Sequence, residues 1–114
     1  MKISKNEPAR TFRVGDDGEI ELHHCADVEL EPDEQVTFKT DSGTEYDVVK
    51  KSWGYYATPS LDGRLKSFGL RAVLVRSRGL RYLLLVESGF EDEFKIYCSD
   101  QNMHVLAWLD DPEL

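Results

Sequence analysis

The first patterned region of the chain alternates apolar and polar residues with a period of two. Phe12 and Val14 precede a turn-forming run at residues 15–18, and Leu22 continues the alternation after it. This period is typical of strands with one buried face, so the region predicts two half-buried strands. Residues 1–10 are polar and show no period, which predicts a flexible arm.

A second alternating region predicts a β-hairpin. Apolar residues alternate with polar ones from Gln35 to Val48, and Asp41–Gly43 supplies the residue types that tight turns need. Residues 50–56 could extend the return strand. Gly54 within that segment indicates a bulge or a close approach of another backbone.

The next segment allows two interpretations. Residues 58–63 are typical of a connection, with Asp62–Gly63 as a tight turn. A short helix ending at Gly69 competes with this interpretation, because a capping serine precedes apolar residues at helical spacing. The residues concerned are Ser60, Leu61, Leu65 and Phe68.

The C-terminal half combines strands with one helix. Residues 69–76 and 80–87 are dense in Val and Leu without alternation, which predicts central strands covered on both faces. A helix over about residues 89–101 follows, supported by a Ser88–Glu91 capping box and a helical apolar stripe. The stripe consists of Phe90, Phe94, Tyr97 and Cys98.

A last strand over residues 103–109 completes a strand-strand-helix-strand unit, and Asn102 can end the helix in a left-handed conformation. The predicted fold class is α+β, mostly antiparallel, with the helix packed on this unit. The predicted organisation is a single domain over residues 11–110, divisible into subdomains near residue 58, with a tail at 111–114.

Composition narrows the class of protein. The 114 residues are 40% hydrophobic, which favours a folded domain over an acidic disordered chain. No run of about 20 apolar residues exists to cross a bilayer, and residues 1–10 lack the apolar core of a signal peptide. We therefore expect a cytoplasmic protein in which Cys25 and Cys98 are separate thiols.

Charge is unevenly distributed around a formal net value of -8. That value makes a broad nucleic-acid interface unfavourable, because binding to phosphates relies on Lys and Arg. Residues 58–82, which we call the basic island, nevertheless hold six bases against the single acid Asp62. The bases are Arg64, Lys66, Arg71, Arg76, Arg78 and Arg81. A compact site for an anionic ligand is thus compatible with the acidic chain.

The segment of residues 53–71 carries the most suggestive chemistry. Its aromatic rings can stack on sugars, and its cations can hold carboxylate or phosphate groups through charge-assisted hydrogen bonds. Core packing and solubility would also account for these residue types. The predicted ligand-binding residues are Trp53, Tyr55, Tyr56, Arg64, Lys66 and Arg71. No cofactor is expected.

The run His23–His24–Cys25 contains the side chains that zinc prefers, but neighbours on a strand point to opposite faces. Only His23 and Cys25 could then share an ion, so we expect no metal site. Motifs of known hydrolases and phosphate-binding loops are absent from the sequence, and we assign no catalytic residue. An enzyme of carbohydrate or nucleotide-sugar metabolism that uses His23, His24 or Cys25 is the alternative.

The string W-G-Y-Y-A-T-P-S-L-D-G-R-L, followed by F-G-L-R-A-V-L-V and A-W-L-D, resembles a small bacterial domain family without an established activity. The resemblance covers most of residues 27–110. It implies no cofactor or catalytic residue, and it inclines the expected ligand towards the sugars of surface polysaccharides. The expected function is therefore a non-catalytic accessory domain that binds an anionic small molecule or a partner protein, with its oligomeric state open.

Overall fold

A computed structural model describes residues 1–57 and 59–114, and these residues lie mostly in antiparallel strands. The strands are β1 (Lys2–Val14), β2 (Ile20–Glu29), β3 (Gln35–Lys39), β4 (Glu45–Lys51), β5 (Gly54–Tyr56), β6 (Leu70–Ser77), β7 (Leu80–Glu87) and β8 (His104–Trp108). The helices are α1 (Arg64–Ser67) and α2 (Glu91–Asp100). The predicted α+β class is confirmed.

The first two strands form a two-stranded antiparallel sheet, which we call the ribbon. Lys2 lies opposite Glu29 at one end, and Phe12 lies opposite Leu22 near the connecting turn. Residues 2–10 therefore belong to β1, and the expected flexible arm is wrong for them. Backbone pairing with β2 orders this polar segment, and such pairing needs no apolar period in the sequence.

A second sheet has the order β3–β4–β5. The β3–β4 hairpin forms as predicted, with Val36 opposite Val48. The return strand does not extend through residue 56, because the chain reverses at Ser52–Trp53 and Gly54 pairs back with Lys51. Gly54 has a φ of 147°, a value that side-chain-bearing residues rarely adopt, so glycine permits this reversal.

The third sheet has the order β7–β6–β8 and carries the buried apolar side chains. Leu65 of α1 packs with Leu70 and Ala72 on one face of β6. Val73 and Val75 pack on the other face, against Phe94 of α2 and Trp108. The prediction of two central strands holds for β6 only, since β7 is an edge strand whose residues 80–83 are exposed.

Both helices begin differently from a simple capping pattern. In α1, the competing helical interpretation is confirmed, and the Arg64 main-chain N–H donates to Ser60 Oγ at 2.8 Å. In α2, the expected capping box does not form, because Ser88 gives no side-chain cap. Instead Glu91 Oε1 accepts a hydrogen bond from the Gly89 N–H at 2.6 Å. Asn102 has the left-handed φ of 53° expected after the helix.

Two further expectations concern the whole chain. Neither helix within residues 1–57 and 59–114 has the length and apolar character needed to cross a membrane. The expected division near residue 58 falls on the residue outside the described ranges.

Candidate functional site

The six predicted ligand-binding residues occupy several different places on the surface. Tyr56 and Arg64 line one shared depression of about 320 Å³. Its other lining residues are Gln35, Asp47, Val49, Pro59 and Ser60. We call this depression the Tyr56–Arg64 site. Its volume lies at the lower end of the range for small-molecule pockets, which suits a ligand of one or two sugar units.

The β3–β4–β5 sheet supplies the floor of this site. Register places Gln35 opposite Val49 and Val49 opposite Tyr56, so the three side chains form a row across the strands. Asp47 lies two residues from Val49 on β4 and therefore shares the same face. Tyr56 is 54% exposed, which leaves its ring accessible for stacking.

Two contacts orient the Arg64 guanidinium. Arg64 Nε donates a hydrogen bond to Asp47 Oδ2 at 3.0 Å, and the guanidinium carbon lies 4.4 Å from the centroid of the Phe68 ring. Arginine has five N–H donors, and in the described residues no hydrogen bond from Nη1 or Nη2 of Arg64 is present. The guanidinium is thus held on one side while its terminal amino groups can meet a ligand.

Asp47 fixes Arg64 because it remains ionised. The Thr37 hydroxyl donates to Asp47 Oδ1 at 2.7 Å, and this hydrogen bond, followed by that from Arg64, lowers the pKa of the carboxyl. Each oxygen of Asp47 therefore has one assigned donor. The ion pair with Asp47 reduces the net charge of the site, but the terminal N–H donors of Arg64 can still bind an anionic group.

Tyr55 and Trp53 lie outside this depression. Tyr55 alternates with Tyr56 along β5 and lines a different depression of about 530 Å³, beside Lys50 and the end of the ribbon. Trp53 occupies the β4–β5 turn and is 70% exposed. The two tyrosines are equally exposed. Although they are adjacent in sequence, they lie in different surroundings.

Arg71 is engaged in the fold. Its Nε and Nη2 donate to the two oxygens of Asp110 at 2.8 and 3.1 Å, and Nη1 donates to Glu91 at 3.4 Å. The guanidinium also lies 4.2 Å from the centroid of the Trp108 ring. The hydrogen bonding between Arg71 and Asp110 is the largest cause that raises the pKa of Arg71 and lowers that of Asp110. Arg71 therefore has few donors left for a ligand.

The remaining cations of the basic island do not converge on the Tyr56–Arg64 site. Lys66 is exposed on α1, on the side where its charge helps to lower the pKa of Asp110. Arg78 forms an ion pair with Asp16. Arg76 lies opposite Arg81 on β6 and β7. The island is continuous in sequence but divided in space.

The His23–His24–Cys25 run lies on β2 in the ribbon. His24 contacts Arg10 and Asp27, while Cys25 Sγ lies 3.4 Å from the main-chain oxygen of His23 rather than from an imidazole. No group of three metal-ligating side chains is present within residues 1–57 and 59–114. The contacts around Cys25 thus provide no imidazole to act as its base.

Sequence reasoning missed Gln35, Asp47 and Ser60 as parts of the site. A signal for the first two existed, because the predicted hairpin alternation places them on its polar face, beside Thr37. The sequence predicts a capping role for Ser60, and its hydroxyl accepts a hydrogen bond from the Arg64 N–H. No protein-family model matches this chain, and searches of curated proteins and of solved structures find no match either.

Proposed function

We propose that the chain is a non-catalytic binding domain that takes a small anionic sugar, acidic or phosphorylated, at the Tyr56–Arg64 site. One observation carries the proposal: the Arg64 guanidinium, held by Asp47 and Phe68, lines the same depression as the exposed ring of Tyr56. This arrangement supports the part of the sequence hypothesis that concerned Tyr56 and Arg64, and it gives Trp53, Tyr55, Lys66 and Arg71 no role in ligand contact.

The chemistry of such a ligand follows from the lining groups. The Tyr56 ring offers a flat apolar face to a sugar ring. The terminal amino groups of Arg64 can hold two oxygens of a carboxylate or phosphate in a fork. Gln35 and Ser60 supply polar groups for hydroxyls of the same sugar.

The compartment we propose is the cytoplasm. Cys25 is an exposed free thiol and Cys98 a buried one, and exposed free thiols persist best where the surroundings are reducing. A bacterial accessory role beside surface-polysaccharide synthesis would supply acidic and phosphorylated sugars as ligands.

Isothermal titration calorimetry tests the proposal with glucuronate, glucose 1-phosphate and a UDP-linked uronic acid as probes, and with neutral glucose as the comparison. We expect binding of at least one anionic probe and much weaker binding of glucose. Arg64→Gln should weaken that binding by about tenfold or more, which corresponds to the loss of one charge-assisted contact.

Adjacent tyrosines provide a matched control. Tyr56→Ala should weaken binding through the lost ring, whereas Tyr55→Ala removes an equally exposed ring from another surface and should leave affinity unchanged. Equal losses from the two substitutions, or no heat with any anionic probe, would refute the site. Chemical conversion of a probe during the titration would favour the enzyme alternative instead.

A second candidate function is binding of a partner protein through the β4–β5 turn. Trp53 favours it, because an exposed tryptophan is unusual on a protein surface and is enriched at interaction hot spots. Trp53 fluorescence should shift to the blue when such a partner covers the ring. Trp53→Phe should then weaken that complex without affecting binding of the anionic probe.

A further inference from the structure

The chain exposes more surface than a monomer of its size normally does. Its accessible area is 8144 Å², whereas a folded monomer of this mass is expected to expose roughly 6,400 Å². The radius of gyration of 15.7 Å likewise exceeds the value of about 13 Å expected for this length. The excess area of roughly 1,700 Å² is larger than the ~800 Å² that each partner buries in a standard stable interface.

The ribbon contributes an apolar face to this excess. Phe12 lies opposite Leu22, and Val14 lies opposite Ile20, so these four side chains share one side of the ribbon. Arg10 follows on the same side, with its guanidinium carbon 4.9 Å from the centroid of the Phe12 ring. The face is therefore apolar with one cation at its edge.

The rest of the fold covers this face only in part, because Val14 and Ile20 near the turn are half-buried and line depressions beside Tyr97 of α2. The two clusters of buried side chains in the described residues include none from β1 or β2. Phe12 and Leu22 remain exposed on a sheet of only two strands. The ribbon turn is hydrogen-bonded to the rest of the fold, since Gln101 joins Asp16 and Glu19. Because a two-stranded sheet alone is marginally stable in water, its exposed apolar side chains would gain from a covering surface.

The outer side of α2 has the complementary character. Ile96 is 63% exposed and Tyr97 is also exposed, although both are large apolar side chains. Glu93 lies three residues before Ile96, and Asp100 lies three residues after Tyr97. The two acids therefore flank the same side of the helix. This surface is apolar with acids at its edges, which suits a face that carries Arg10.

The two surfaces adjoin where the ribbon turn meets α2. Ile20 of the ribbon and Tyr97 and Asp100 of α2 line one depression of about 450 Å³. A two-fold symmetric interface needs each copy to present one continuous patch that contains both halves of the contact. From this arrangement we infer that two copies of the chain form a dimer in which the ribbon face of each covers the outer side of α2 in the other.

Sedimentation velocity and light scattering test the inference on the full chain, from micromolar to submillimolar concentration and at physiological salt. We expect a species of twice the 13.1 kDa chain mass that dissociates on dilution. Leu22→Asp on the ribbon face and Ile96→Asp on α2 should each give a monomer with an unchanged circular dichroism spectrum.

A matched control lies on the opposite side of the same ribbon. Thr11 is one residue from Phe12 and therefore faces away from the apolar side. Thr11→Asp introduces the same charge as Leu22→Asp and should leave the dimer intact. Monomer formation by Thr11→Asp would show that charge on either side is sufficient, and would overturn the assignment of this face.

Mixing the two interface variants distinguishes this dimer from one made by two ribbons. A mixture of Leu22→Asp and Ile96→Asp keeps one intact ribbon-to-α2 contact in each mixed pair, so a weaker dimer should reappear. In a ribbon-to-ribbon dimer, Ile96→Asp alone would still dimerise and mixing would restore nothing. That result, or a wild-type monomer at every concentration, would overturn the inference.

Discussion

The β7–β6–β8 sheet and the ribbon have the same kind of backbone hydrogen bonding but opposite side-chain surroundings. The third sheet has α1 on one face and α2 on the other, and the buried apolar side chains of the described chain all belong to this layered region. They are Leu65, Leu70, Ala72, Val73, Val75, Val86 and Cys98. The ribbon contributes none of them, although its apolar residues alternate clearly.

The third sheet and the ribbon therefore use their hydrophobic faces in different ways. Alternation predicts that a strand has an apolar side, but it does not indicate whether the same chain covers that side. In the third sheet, the covering helices are neighbours of the strands in sequence, with α1 before β6 and α2 after β7. In the ribbon, Phe12 and Leu22 on the apolar side stay exposed, which suits recognition of another molecule better than monomer stability.

The largest expected effect comes from removing a buried side chain of the layered region. Leu65 is fully buried between α1 and β6, with Leu70 and Ala72 as neighbours. Leu65→Ala should lower the free energy of unfolding by about 3 kcal/mol, from lost burial and the cavity that remains. Urea denaturation measures this change, and a loss below about 1 kcal/mol would contradict the assignment of Leu65 to the core.

A smaller effect is expected from the ion pair at the edge of that region. The Asp110 side chain is 2% exposed, and Arg71 donates two hydrogen bonds to it. Arg71→Ala should lower the free energy of unfolding by about 2 kcal/mol, because it leaves a buried carboxylate without its partner. Binding of an anionic probe should not change, since Arg71 lies outside the Tyr56–Arg64 site.

Acid titration provides the control for this ion pair. The pKa of Asp110 is lowered in the folded chain, so its stabilising contribution is complete above the unfolded pKa and is lost as pH falls through the folded pKa. The free energy of unfolding should therefore decrease less steeply below about pH 4 in Asp110→Asn than in wild type. Parallel pH profiles would show that the pair does not form.

Much of the fold could be predicted from local patterns. The β3–β4 hairpin and α2 have clear periods, β6 is a dense apolar run, and the observed bounds of all three lie close to the predicted ones. The first residues of β1 could not be predicted in this way, because their order comes from backbone pairing with β2. The exposure of β7 was missed for the converse reason, since a leucine-rich run looks the same whether it is covered or open.

Local sequence patterns also predict the candidate site only in part. Tyr56 and Arg64, both from the segment of residues 53–71, line one depression. Arg71 could not be separated from them in the sequence, because its partner Asp110 lies 39 residues away. Asp47 and Gln35 come from an earlier hairpin, and only the folded arrangement brings that hairpin beside α1.

The smallest expected effect comes from a leucine-to-alanine substitution in the ribbon, matched to Leu65→Ala in the layered region. Leu22 is 42% exposed, so Leu22→Ala should change the free energy of unfolding by less than about 0.5 kcal/mol in the dilute monomer. At high protein concentration the two chains should diverge, because dimer formation stabilises the folded state by mass action. The melting temperature of wild type should then rise with concentration more steeply than that of Leu22→Ala. If both rise equally, or if neither rises, the ribbon face takes no part in assembly and its contrast with the layered region has another cause.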